Sequence, residues 1–211
     1  MKLYLIRHGE TQWNKQRLLQ GRTDMPLNEN GRQVASMTAE GLRDITFHKV
    51  YSSPLSRAYE TARLVTEGRY PIQTDQRLTE ISFGIYEGLC CGRDGYNIPD
   101  PDFINFFQDP GKYVPPEGGE SVQELCHRTM SFLTELAEDP ENQGKTILIS
   151  THGASLRSML VGIQKKPLSE FWQGGVHRNC GVTILSLEQG VYSIQQENVI
   201  YYDEALSTNY D

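Results

Sequence analysis

Leu5-Ile6-Arg7-His8-Gly9-Glu10-Thr11 and Ile149-Ser150-Thr151-His152-Gly153-Ala154 stand far apart in the chain, yet each runs an apolar β-type segment straight into a His-Gly turn. In an open α/β sheet, ligands bind in the crevice beyond the carboxyl ends of the strands. Two strands that end this way are expected to bring two imidazoles to one pocket. The first also carries Arg7, and an imidazole beside a guanidinium suits phosphate chemistry: the ring can take a phosphoryl group while the planar cation holds its oxygens.

Further β-type runs lie around Lys49-Tyr51, near Ile72, and at Val182-Leu187 and Val191-Gln195, with helical patterns between them. Asn28 is a good N-cap for a helix whose apolar face is Val34, Ala35, Thr38, Leu42 and Ile45. Ser53-Pro54 predicts the start of a second helix, with Leu55, Ala58, Ala62 and Val65 facing inward. Ser121-Val122-Gln123-Glu124 has the form of a capping box and opens a third, running to about Pro140, while a fourth follows Gly153. This alternation predicts a three-layer α/β/α sandwich with a mixed, mostly parallel sheet. The link Glu188-Gln189-Gly190 is of hairpin length and makes one edge antiparallel. The polar tail from about Asp203 is expected to be loose.

With 211 residues, the chain is read as one domain, 1–211. The segment from Cys90 to Gly119 interrupts the alternation as a lid-like insertion at about 90–119, rich in Gly, Pro and Asp but carrying Tyr96, Phe103, Phe106, Phe107 and Tyr113. These rings fit both a satellite apolar cluster and a cover over the site. A net charge of −7, from 20 basic and 27 acidic residues with no basic tract, argues against a nucleic-acid partner. The apolar run before Arg7 is too short for a signal-peptide core or a membrane span, so a cytoplasmic location is expected. Cys90, Cys91, Cys126 and Cys180 have neither zinc-site spacing nor an evident pairing and read as free thiols. No P-loop and no dinucleotide-binding glycine pattern occurs. No feature of the chain sets an oligomeric state.

Taken together, five blocks resemble the histidine phosphatase superfamily, the phosphoglycerate-mutase-like group. They are Leu5-Ile6-Arg7-His8-Gly9-Glu10-Thr11 with Trp13-Asn14, Leu27-Asn28-Glu29-Asn30-Gly31, Ser52-Ser53-Pro54-Leu55-Ser56-Arg57-Ala58 with Thr61-Ala62, Leu78-Thr79-Glu80-Ile81-Ser82-Phe83-Gly84 with Glu87-Gly88, and Ser150-Thr151-His152-Gly153. The resemblance implies that His8 is the nucleophile, becoming a phosphohistidine, and that Arg7, Arg57 and His152 surround the phosphoryl group. It implies that Glu80 protonates the leaving oxygen, that Asn14, Gln20, Gly21 and Gly153 bind substrate, and that neither metal nor cofactor is used.

Elementary chemistry is consistent with these roles. A neutral imidazole is plentiful near neutrality, because its ordinary pKa is about 6.5. One ring nitrogen of His8 must donate to an acceptor, such as a carbonyl of the adjoining turn, to free the other. Phosphoryl transfer needs positioning and charge stabilisation more than covalent help, and guanidinium groups supply both. Glu87 is read as a structural carboxylate that orders the turn at Gly88, His127 as a surface residue, and His177 as a residue near the pocket rim.

The leading expectation is metal-independent hydrolysis of a small phosphorylated metabolite, without a membrane or nucleic-acid partner. The aromatic insertion hints at a substrate with an apolar or planar body, such as a nucleoside-like phosphate resembling α-ribazole phosphate. Phosphoglycerate mutase is the rival. Between Glu87 and Gly119 the basic residues are Arg93 and Lys112 alone, with no adjacent arginine pair to grip a substrate carboxylate. A non-catalytic phosphate-binding module is a third reading, disfavoured because His8 and Glu80 both stand.

Overall fold

The computed structural model describes residues 1–207. Its apolar runs form β1 (Lys2–Arg7), β2 (Lys49–Ser52), β3 (Ile72–Thr74), β4 (Thr146–Thr151), β5 (Val182–Glu188) and β6 (Val191–Val199). They make one six-stranded sheet in the order β3-β2-β4-β1-β5-β6. The first four in that order are mutually parallel, and β5 and β6 are antiparallel additions on one side. The sheet is thus mixed and mostly parallel, as predicted.

Between the strands run α1 (Gln12–Lys15), α2 (Glu29–Gly41), α3 (Ser56–Val65), α4 (Asn105–Gln108), α5 (Val122–Glu138) and α6 (Gly153–Gln164). Alternation along β1 and β4 sorts them into layers. Tyr4, Ile6 and Leu148 face Val34 and Ala35 of α2 and Ala62 and Val65 of α3. Leu3, Leu5, Ile147 and Ile149 face Phe132 and Leu133 of α5 and Leu156 and Leu160 of α6. Burying each such side chain is worth about 1.5–3 kcal/mol, so the two slabs hold the helices to both sheet faces. A third cluster joins Phe103, Phe106 and Tyr113 of the insertion to Ile81, Phe83, Val122, Leu125 and Phe171. The insertion is therefore anchored by its own rings.

Two local expectations are corrected. The helix placed at Ser53-Pro54 starts instead at Ser56, after an extended Leu55 that makes no side-chain cap. Asp24 Oδ1 accepts from the Ser56 N–H at 2.8 Å, so the capping comes from another loop, and Ser53 turns elsewhere. The tail is docked through Ser207: residues Glu204–Leu206 form a 3-10 turn, Leu206 packs on the first slab, and its carbonyl accepts from Asn30 Nδ2 at 3.1 Å. Residues 208–211 lie outside the described residues.

Registry positions the site. Arg7 pairs with Thr151, so His8 and His152 leave the sheet side by side at the carboxyl edge, with the Ser53 turn beside them after β2.

Candidate active site

His8 is buried, and its Nδ1 lies 2.7 Å from the carbonyl of Gly9. A carbonyl only accepts, so Nδ1 carries the hydrogen and Nε2 keeps its lone pair. The turn that holds the ring is fixed from three sides. The His8 N–H donates to Thr151 at 3.0 Å, its carbonyl accepts from Asn179 Nδ2 at 2.9 Å, and the Gly9 N–H donates to Thr61 Oγ1 at 3.0 Å. A side chain on Gly9 would meet the Gly31 carbonyl at 2.6 Å, and one on Gly31 would meet the Glu10 carbonyl at 2.1 Å. Glycine at both places lets the start of α2 close on the His8 turn. Burial, reinforced by Arg57 and Arg7, holds the His8 pKa well below its ordinary value, so the ring is neutral.

The rings of His8 and His152 lie 5.1 Å apart. Arg57, in the first turn of α3, is fully buried and donates from Nε to His152 Nδ1 at 3.2 Å. Because that nitrogen accepts, the hydrogen of His152 sits on Nε2 and is donated to Ser53 Oγ at 2.8 Å. Arg57, which can only donate, thus sets the His152 tautomer, and Ser53 takes up the other ring hydrogen. The other arms of Arg57 donate to the carbonyls of Thr23 (2.8 Å) and Gly21 (2.7 Å). Burial lowers its pKa to about 10, which leaves it cationic at neutrality. His152 is pushed well below its ordinary pKa by burial and then by Arg57. Arg7 donates from Nη1 to the His177 carbonyl at 2.5 Å.

Glu80 sits against the N-terminus of α6. Its Oε1 accepts from Ile81 N (2.9 Å) and Ser155 N (3.0 Å), and its Oε2 from Ala154 N at 3.1 Å, while Ser155 Oγ gives its one hydrogen to the Thr79 carbonyl at 2.5 Å. The α1 turn carries Asn14, whose Oδ1 accepts from the Thr11 N–H at 3.1 Å, so its amide NH2 is the group left to offer a ligand. Thr11 Oγ1 also donates to Gln20 Oε1 at 2.9 Å. Gly21 has φ +51°, and a Cβ there would lie 2.0 Å from Glu87 Oε1. Glu87 accepts from the N–H groups of Arg22, Thr23 and Phe83, so its carboxylate ties the Gly21 loop to the Glu80 block.

Arg7, His8, Asn14, Gln20, Gly21, Arg57, Glu80 and Gly153 all line one cavity of about 120 Å³. His152 does not line it and stands behind Arg57 with no exposed surface. A hollow of about 420 Å³ around Tyr51, Arg77 and Glu135 is larger but carries no histidine, so chemistry and not size picks the site. Among the described residues no three metal-ligating side chains are grouped to hold a metal ion.

The profile described as the histidine phosphatase superfamily (branch 1) matches residues 3–200. The chain belongs to that superfamily. It is 31% identical over 190 residues to phosphoserine phosphatase 1 of Hydrogenobacter thermophilus, covering 90% of this chain and 88% of the relative. It is 35% identical to a probable phosphoglycerate mutase of Salmonella choleraesuis, covering 79% of this chain and 76% of that one. Among solved structures it superimposes on Bacillus stearothermophilus YhfR with a TM-score of 0.87 and 35% identity, over 95% of this chain and 98% of the other. As a histidine phosphatase family member with phosphatase relatives, the chain is a phosphomonoester hydrolase.

This phosphatase also uses residues that the sequence reading missed. Ser53, at the predicted helix start, instead bonds the His152 ring. Trp172 and Val176, which follow α6, join Phe83, Phe106 and Phe107 in the cavity wall. The His177 carbonyl accepts from Arg7, while its ring lies 2.8 Å from Thr183 Oγ1. His127 is exposed, as expected.

Proposed function

We propose that this phosphatase hydrolyses small phosphomonoesters in two in-line steps through a phosphohistidine at His8, without a metal. The lone pair of His8 Nε2 attacks phosphorus and the bond to the alcohol oxygen breaks. Glu80 supplies the proton that the departing oxygen takes up. Its Oε2 accepts one hydrogen bond where Oε1 accepts two, so Oε2 has the lone pair to carry that proton. Water then attacks the phosphohistidine, its proton goes to Glu80, and the P–N electron pair returns to the imidazole. Arg7 and Arg57 hold the charge spread over the transferring oxygens, with Asn14, Gln20, Gly21 and Gly153 around them and His152 bracing Arg57 from behind. One observation carries the reading: a neutral, buried His8, whose bond to Gly9 leaves the Nε2 lone pair unused, lines one cavity with two guanidinium groups.

The alcohol half of the substrate meets Phe83, Phe106, Phe107, Trp172 and Val176, and the cationic side chains lining the cavity are Arg7 and Arg57. This wall favours an ester with an apolar or planar body. The phosphoserine bound in the structure of the Entamoeba histolytica phosphoserine phosphatase, a neighbour at TM-score 0.80 and 30% identity over 93% of this chain and 96% of that one, keeps small amino-acid phosphates in the test set. In this reading the chain works as one domain, in the cytoplasm, with 90–119 as the cover of the site.

The test is release of inorganic phosphate from a panel of aryl, nucleoside, amino-acid and glycerol phosphates, with EDTA present. Release by wild type and none by His8→Ala is the expected result. Dependence on added metal overturns the mechanism. Exchange of phosphate between phosphoglycerates faster than its loss to water turns the assignment to the mutase.

A further inference from the structure

The carboxylate of Glu80 is held by α6, but its backbone is held by something else. Arg128, on α5, lies outside the cavity lining, and its guanidinium reaches the strip that precedes the acid. Nη1 donates to the carbonyls of Arg77 and Thr79, each at 2.7 Å, and Nη2 to the carbonyl of Glu80 itself at 3.1 Å. The opposite edge of the fork meets Glu120 through two bonds, Nε to Oε1 at 2.6 Å and Nη2 to Oε2 at 2.8 Å. Thr151 Oγ1 takes the one carbonyl that Arg128 leaves, that of Leu78, at 2.8 Å. Glu120 is buried and is itself tied to the acid's block, its N–H donating to the Ser82 carbonyl at 2.9 Å.

We infer that Arg128, oriented by Glu120, is a positioning residue for the proton donor, clamping the 77–80 backbone so that Glu80 Oε2 faces the leaving oxygen. The inference rests on the proton-donor reading of Glu80 above. A rigid five-donor fork is needed, because three carbonyls and a bidentate carboxylate lie in its reach at once. A lysine ammonium keeps the charge but has three donors around one nitrogen and cannot span both edges. A general acid must sit within hydrogen-bond reach of the atom it protonates, so slack in this strip is felt in proton transfer before it is felt in phosphate binding.

The experiment compares kcat/KM for an alkyl phosphate, whose alkoxide leaves poorly, with that for p-nitrophenyl phosphate, whose phenoxide needs little help. The enzymes are wild type, Arg128→Met, Arg128→Lys, Glu80→Gln and the double variant Arg128→Met/Glu80→Gln. Both Arg128 variants are expected to slow the alkyl ester by roughly 30-fold, inside the range that general acid catalysis supplies, and the aryl ester by less than about 3-fold. In the Glu80→Gln background the second change is expected to cost the alkyl ester less than about 3-fold, since the two act through one proton transfer. Equal slowing of both esters by the Arg128 variants, or full multiplication of the two effects, overturns the clamp. Arg128→Lys retains the charge and the stem, so it carries the same comparison if Arg128→Met does not fold. Equal slowing of both esters by Glu80→Gln removes the proton-donor reading itself, an outcome distinct from a split shown by Glu80→Gln alone, which sinks only the clamp.

Discussion

At the end of the cavity that the proposed mechanism gives to the phosphate, Arg7, His8 and Arg57, with buried His152 against Arg57, are cross-tied to strand ends and to one another. At the end it gives to the alcohol, Phe106, Phe107, Trp172 and Val176 come from the insertion and from the stretch after α6. The first end is polar, and its donors are aimed by named hydrogen bonds. The second is apolar and set by ring packing, as in the Phe106 and Trp172 pair with centroids 5.4 Å apart. In the proposed mechanism the contrast is a division of labour: rate is assigned to the braced end, which any phosphoryl group would meet, and choice of substrate to the packed end.

The largest break in this division is expected at Arg57. Replacing it with Ala removes a buried cation from the transferring oxygens and the brace on His152, and should lower kcat by about 100- to 1,000-fold, the scale of losing one electrostatic donor. The loss should be the same for aryl and for glycerol esters. A loss confined to one ester class would place Arg57 in substrate choice and erase the contrast.

Trp172→Ala probes the other end. Its ring lines the cavity and its Nε1 donates to the Phe106 carbonyl at 2.6 Å, so truncation loosens two walls together. KM for aryl phosphates should rise roughly 10-fold, the value of a lost apolar contact, while kcat and the constants for glycerol phosphate stay within about 2-fold. A fall in kcat for all esters would show the packed end to be part of the machinery of rate.

The same contrast governs what could be read in the chain. Strand-His-Gly announces a histidine at a sheet edge because strand and turn are local, and register then brings His8 and His152 together without further information. Arg57 was legible for a similar reason, being in the first turn of a helix that follows a strand. Ser53 hides its part because its local pattern, Ser before Pro, is that of a helix cap. Only the folded partner, His152 Nε2 from 99 residues away, draws it off. Trp172 and Val176 had no signal. Their segment has no periodicity, and its path is set by buried Arg157, which donates from Nε to the Phe171 carbonyl at 3.0 Å and from Nη2 to that of Gln173. A long-range bond to a carbonyl writes nothing into the sequence of the loop it holds.

The seam between the two ends is His177, whose neighbour Val176 lines the wall and whose carbonyl holds Arg7. Burial lowers its pKa to about 3, and its Nδ1 has no hydrogen-bond partner. In the unfolded chain the ring titrates near 6.5, so below that pH the unfolded state binds a proton that the folded state refuses. The ring's contribution is therefore whole above about pH 7 and is lost as the pH falls toward 3. Its slope is about 1.4 kcal/mol per pH unit once the unfolded ring is charged. His177→Asn removes this proton, whatever it does to stability at pH 7. The expected result, from urea unfolding at pH 7, 6, 5 and 4, is that the variant's stability falls less steeply than wild type's, by up to that amount per unit. Parallel curves would mean that the ring takes up its proton in the folded protein.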